Sequence, residues 1–207
     1  MPIDLYNFVT ELNRLSSPED IICPSASGYG TLITLQTWKL KQGQRFTTNF
    51  VFGQMGAGLS TAIGAALATG KRVLLIEGDG GFQLNVQELA VVEKLQLPII
   101  MFIINNNGYA SIRTMQDNRF EGNHVACDID SGLSVILPSQ NIDEFDYFLG
   151  IPVVEISEAK NIEWAMNYNK PPCLIEITAN PNQQYRHKLK SQLVDGKWQW
   201  QKLEEME

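Results

Sequence analysis

Two short segments combine glycine amides with hard oxygen donors. They are Gly78-Asp79-Gly80-Gly81 and Asn105-Asn106-Asn107-Gly108. In the first, glycines let the backbone approach a ligand closely. Free amides ahead of a helix make an anion site, helped by the helix dipole. Asp79 sets a carboxylate beside that site, which would repel a phosphate unless a cation sat between them. The combination points to a diphosphate held through Mg²⁺ or Ca²⁺ with oxygen ligands. Taken alone, the tetrapeptide is equally a strand-to-helix turn. The Asn cluster offers further hard ligands, or simply a turn, since Asn and Gly favour turns. A third segment, Ser25 to Gly30, is rich in Ser and Gly.

These segments act together only if the fold brings them together. Each follows a short apolar stretch that reads as a strand: Asp20 to Pro24, Arg72 to Glu77, and Pro98 to Ile104. Parallel α/β sheets bind ligands outside the carboxyl ends of their strands, so adjacent strands would aim Asp79 and the Asn cluster at one spot. The intervening segments carry helical spacing. Leu5, Phe8, Val9, Leu12 and Leu15 form one apolar stripe, with Asp4 as N-cap. Thr31 to Lys41 predicts a second helix. Met55 to Thr69, rich in small residues, predicts one able to approach a neighbouring backbone. Further helices are expected over Gln83 to Leu95, from about Tyr109, over Ile142 to Leu149, and over Glu158 to Tyr168. Strands are expected at Arg45 to Asn49, Pro152 to Ile156 and Cys173 to Thr178. The fold class is therefore α/β, a three-layer α/β/α arrangement around a mostly parallel sheet. One domain over 1–180 and a polar tail over 181–207 are expected.

Composition prunes the alternatives. At 207 residues, with 44 % hydrophobic and 19 % charged, the chain suits a single globular unit. The longest apolar run, Ile99 to Ile104, is far short of the ~20 residues of a membrane-spanning helix. No leader is visible at the start, and neither a membrane nor a nucleic-acid partner is expected at a net charge of −7. Cys23, Cys127 and Cys173 are odd in number and scattered, which suits free thiols and a cytoplasmic location. Neither His124 nor His187 forms a cluster with zinc spacing, so no structural zinc site is expected. A dinucleotide site is disfavoured, because no Gly-x-Gly-x-x-Gly stands between a strand and a helix.

In this sequence 24 residues separate Gly78-Asp79-Gly80 from Asn105-Asn106. That spacing matches the motif of thiamine diphosphate-dependent enzymes. The whole stretch GDGGFQLNVQELAVVEKLQLPIIMFIINNNGYASIRTMQ, from Gly78 to Gln116, resembles acetolactate synthase large subunits. FGQMGAGLSTAIGA, from Phe52 to Ala65, resembles the family's Met-containing stretch and Ala-rich helix. Ser131-Gly132-Leu133, Leu149-Gly150-Ile151-Pro152 and Leu203-Glu204-Glu205-Met206 extend the likeness over nearly the whole chain. The loop at Thr69 to Lys71 is one residue shorter than usual, and Ser60-Thr61 replaces a common Pro-Ala.

The resemblance implies a site. Asp79 and Asn106 would bind Mg²⁺ by side chain, and Gly108 through its carbonyl. Amides of Gly80, Gly81, Tyr109 and Ala110 would meet the diphosphate, with Ser27, Tyr29 and Gly30 beside the cofactor. Met55 would wedge under the thiamine and enforce its bent shape, and Gly53 would accept a hydrogen bond from the aminopyrimidine. The family's chains carry about three such domains. This sequence corresponds to the last, and the glutamate that activates the aminopyrimidine belongs to another. The resemblance thus implies no catalytic side chain here. It implies a pyrimidine-binding domain or subunit as partner, a homo-oligomer, and a 2-keto acid substrate undergoing decarboxylation or carboligation. Two alternatives are the smaller chain of a two-chain 2-keto acid decarboxylase and a non-catalytic assembly domain.

Overall fold

A computed structural model describes residues 2–25, 28–49, 51–128, 130–132, 146–168, 170–186 and 191–200. Residues outside these ranges, Ser27 and 201–207 among them, are not described. The chain opens with α1 (Leu5–Leu15), whose N-cap Asp4 accepts the Asn7 amide at 2.9 Å. Leu5, Phe8, Val9 and Leu12, at helical spacing, are all buried. There follow β1 (Ile21–Pro24), α2 (Gly28–Thr37), β2 (Arg45–Phe46), α3 (Ala57–Thr69), β3 (Val73–Gly78), α4 (Asp79–Gln83) and α5 (Leu89–Lys94). The order continues with β4 (Ile99–Asn105), α6 (Ala110–Arg119), β5 (Asp146–Phe148), β6 (Ile151–Ile156), α7 (Ile162–Tyr168), β7 (Cys173–Thr178), β8 (Ser191–Val194) and β9 (Lys197–Trp200).

Seven strands make one sheet in the order β2-β1-β3-β4-β7-β6-β5, parallel except for the β5 edge. Alternation along each strand feeds two cores. Leu74, Ile76, Ile100 and Phe102 pack on the side of α1, α2 and α7. Val73, Leu75, Ile99 and Met101 pack with Leu59 and Ala62 of α3 on the other. Strands buried on both faces read as continuous apolar runs, as β3 and β4 do. The α/β class with a mostly parallel sheet is the observed one.

Two expected elements differ. The helix over Gln83 to Leu95 is broken into α4, a 3₁₀ turn at Val86–Glu88, and α5. Asn85 lies at φ −136° and its side-chain amide donates to the Gly56 carbonyl, which takes the chain off the helical path. The helix over Ile142 to Leu149 lies partly outside the described residues, and 146–148 form β5. Leu149 and Gly150, both at positive φ, make a two-residue turn that folds β5 back on β6, pairing Phe148 with Ile151. Smaller shifts occur elsewhere. α2 starts at Gly28 and stops at Thr37, and β2 keeps only two residues of the expected five. Within the polar segment past residue 180, β8 and β9 pair as an antiparallel hairpin.

Candidate functional site

The register of the sheet explains where the three segments go. Pro24 pairs with Ile76, and Gly78 pairs with Ile104, so β1, β3 and β4 finish at the same edge of the sheet in a short stagger, β1 first and β4 last. Their following loops converge on one cavity of about 280 Å³. Tyr29, Gly30, Met55, Asp79, Gly80, Gly81, Asn106, Gly108, Tyr109 and Ala110 all line it. Of the remaining expected residues, Gly53 does not line the cavity. It stands in the loop before α3 at φ +58° with open space where a Cβ would be. Ser27 lies outside the described residues.

Asp79 joins two of the loops. Its Oδ1 accepts the Gly80 amide at 2.7 Å and its Oδ2 accepts the Gly108 amide at 2.9 Å. The side chain is only 4 % exposed. Burial pushes its pKa up to about 6, against the pull of the Gly108, Gly80 and Asn106 amides and of Arg113. Next to it, Asn106 is buried, and its Oδ1 has no hydrogen-bond partner among the described residues. An orphaned buried acceptor beside a desolvated carboxylate is short of positive charge. A hard divalent cation supplies it, and both donors suit such an ion. The residues present therefore fit a bound Mg²⁺ and the anion it would carry.

The cradle depends on close approach. A Cβ on Gly80 would stand 2.0 Å from Tyr109 Cε1, so only glycine lets the ring lie against this turn. α3 comes equally near from the side: a Cβ on Gly58 would stand 2.5 Å from both Ser25 Oγ and Glu77 Oε2. The small residues of this helix thus do what their sizes suggest.

Several participants were not singled out from sequence. Gly28, Ser111 and Ile112 also line the cavity. Arg113 is buried and donates to the carbonyls of Asn106 (3.2 Å) and Pro181 (2.8 Å), bracing the Asn cluster. Tyr185 stacks flat on Tyr29 at 4.5 Å, bringing the segment after β7 over the first loop. Glu77 is fully buried at the end of β3 and accepts the Ser25 hydroxyl at 2.7 Å. Burial pushes it up to about 7, with Ser25 and the Gly58 and Leu59 amides pulling the other way. A charged residue inside an apolar strand run was its signal. His124, Cys127 and Asp128, not singled out as a group from sequence, come together with ligand atoms within 4.8 Å of one another. The scattered positions of the cysteines concealed the local pattern His-x-x-Cys-Asp.

Comparison with known proteins bears on this geometry. The family described as "Thiamine pyrophosphate enzyme, C-terminal TPP binding domain" matches residues 26–177. The chain belongs to this family. Among its relatives, "Acetolactate synthase 2, chloroplastic" of Nicotiana tabacum is 28 % identical over 158 residues, which are 75 % of this chain and 23 % of the relative. An uncharacterized protein of Methanocaldococcus jannaschii is 34 % identical over 182 residues, 86 % of this chain and 33 % of that one. Among solved structures, the thiamine diphosphate-dependent 4-hydroxybenzoylformate decarboxylase of Rhodococcus jostii RHA1 shares the fold. It superposes at a TM-score of 0.67 with 20 % identity, over 86 % of this chain and 33 % of that one. This TPP-binding domain thus spans a quarter to a third of the length of these relatives. Among the described residues no helix is long and apolar enough to cross a membrane.

Proposed function

We propose that this chain holds the diphosphate of thiamine diphosphate through Mg²⁺, as part of an acetolactate synthase-like enzyme acting on 2-keto acids. The observation that carries the reading is Asp79 with the unpartnered Asn106 Oδ1 in one glycine-walled cavity. Asp79 and Asn106 supply side-chain oxygens to the ion, and Gly108 its carbonyl. The amides of Gly80, Gly81, Tyr109 and Ala110 are the candidates for the diphosphate; in this structure Asp79 Oδ1, the Cys127 carbonyl and the Gly108 carbonyl accept those of Gly80, Tyr109 and Ala110, which would exchange these partners for the anion. Met55, 37 % exposed at the cavity wall, supports the thiamine from below. When bound, the cofactor supplies the carbanion chemistry, and the protein's task is to position it and tune its surroundings. The activating glutamate comes from a pyrimidine-binding domain or subunit, and the cofactor lies between them in a homo-oligomer. Three buried cysteines, none of them in a disulfide, support a reducing, cytoplasmic setting.

Calorimetry with Mg²⁺ and thiamine diphosphate tests the assignment. The wild-type chain gives a saturable heat that needs both components, and Asp79→Ala gives none. Equal heats for the two proteins would sink the metal-ligand role. Light scattering checks assembly, and a monomer at every concentration, alone and with a pyrimidine-binding partner, counts against the shared site.

A further inference from the structure

The loop after α6 carries a second group of donors, unlike the first. His124, Cys127 and Asp128 place one ligand atom each within 4.8 Å of one another. The loop is pinned before any ion arrives. The Gln116 side chain donates to the Val125 carbonyl and accepts the Val125 amide, both at 3.1 Å. Ser131 Oγ accepts the amides of Cys127 and Asp128 at 3.0 Å. Tyr109, on the cavity wall, donates its amide to the Cys127 carbonyl at 2.7 Å.

The donors are partly engaged but keep capacity for an ion: among the described residues Cys127 Sγ has only a long 3.6 Å contact to Ser131 Oγ besides Asp128. Asp128 Oδ1 accepts the Ser131 amide at 2.9 Å, but among the described residues Oδ2 has only long contacts, 3.7 Å to Arg113 Nη1 and 3.9 Å to Cys127 Sγ. Arg113 spends its closer hydrogen bonds on the Asn106 and Pro181 carbonyls. His124 Nε2 lies 2.6 Å from Asp117 Oδ1, so a further carboxylate stands at the ring. Cys127 is fully buried and His124 partly exposed, which gives a protected sulfur with a way in from solvent.

We propose that His124, Cys127 and Asp128 bind a transition-metal ion of the Zn²⁺ class. Asp117 takes part as a ligand or as the carboxylate that orients the imidazole. One nitrogen, one sulfur and carboxylate oxygen form a donor set for a borderline ion in tetrahedral geometry. Mg²⁺ and Ca²⁺ prefer all-oxygen sites and are not served by it. On binding, the Cys127 thiol gives its proton to solvent, and the S–metal bond forms with no change of oxidation state. The resulting thiolate and the Asp128 carboxylate neutralise the ion. Such an ion would brace the loop whose Cys127 carbonyl holds the Tyr109 amide.

Co²⁺ is the probe, added to the chelator-treated full chain in excess Mg²⁺. The expected result is one Co²⁺ per chain, with a thiolate-to-cobalt charge-transfer band and the strong visible bands of a tetrahedral site. Zn²⁺ displaces it. Cys127→Ser removes the charge-transfer band, and His124→Gln weakens binding at least about tenfold. Asp79→Ala, which disables the proposed oxygen site, leaves the spectrum unchanged, so the two sites fail separately. A charge-transfer band that never forms, or one that survives Cys127→Ser, overturns the proposal. Should Cys127→Ser not fold, unchanged Co²⁺ affinity in His124→Gln overturns it alone.

Discussion

Two neighbouring groups of polar residues flank the Tyr109 backbone, and they differ in what they can hold. At the ends of β3 and β4, Asp79 and Asn106 offer only oxygen, in a cavity lined by glycines. On the loop after α6, His124 and Cys127 add nitrogen and sulfur to carboxylate oxygen. The first set suits a hard cation that carries a phosphate, and the second a softer ion that stays with the protein. Backbone setting separates them as well. Asp79 and Asn106 sit directly after buried parallel strands, so the sheet positions them. The second group sits on one loop, positioned by side-chain hydrogen bonds from Gln116 of α6 and from Ser131. Placement by a sheet core is harder to perturb than placement by a loop.

The largest expected effect breaks the oxygen site alone. Asp79→Ala weakens Mg²⁺-dependent cofactor binding by more than about a hundredfold, since it removes a ligand rather than a neighbour of one. Titration calorimetry reads this, and the cobalt spectrum of the other group stays as in wild type. Gly80→Ala tests the cradle. Its methyl meets the Tyr109 ring, so it costs ~1–3 kcal/mol of stability by overpacking. Urea unfolding measures the cost, and Gly80→Ala with Tyr109→Ala recovers part of it if the ring is the cause.

A pH experiment separates the two buried carboxylates of this strand end. Glu77 has its pKa raised from 4.5 to about 7 by burial. The folded state therefore holds the proton more tightly than the unfolded chain. That contribution is complete below pH 4.5 and is lost as pH rises through about 7. Glu77→Gln flattens this fall in the stability of the ligand-free chain, as seen in denaturant midpoints across the range. An unchanged slope would remove Glu77 from the account. The smallest effect is expected from Met55→Ala. It gives up ~1 kcal/mol of apolar contact and weakens cofactor binding by less than about tenfold, with Mg²⁺ binding unaffected.

Much of the site was legible because its chemistry is local. Glycine amides and Asp79 sit in one tetrapeptide, the Asn cluster in another, and both follow runs that can only be buried strands. Helix α1 was legible for the same reason, with its cap and its stripe inside Asp4 to Leu15. The misses come from contacts that the periodicity of one segment does not carry. Asn85 reaching Gly56 broke the expected helix, and a two-residue turn against β6 made β5. Arg113 showed no sign in sequence of its role, because its acceptors lie at Asn106 and at distant Pro181.

What the sequence determined by itself was the set of donors and the alternation of strand and helix that delivers them. Hydrophobic periodicity and turn chemistry act over a few residues, so they are readable along the chain. Only the tertiary structure decided which donors share a space. The neighbouring ends of β1, β3 and β4 come from parallel register, and register is set by packing on both faces of the sheet. The same packing left Asn106 Oδ1 without a partner and buried Glu77 under α3. His124, Cys127 and Asp128 were close in sequence, but loop hydrogen bonds and the Tyr109 amide were needed to turn their side chains toward one another.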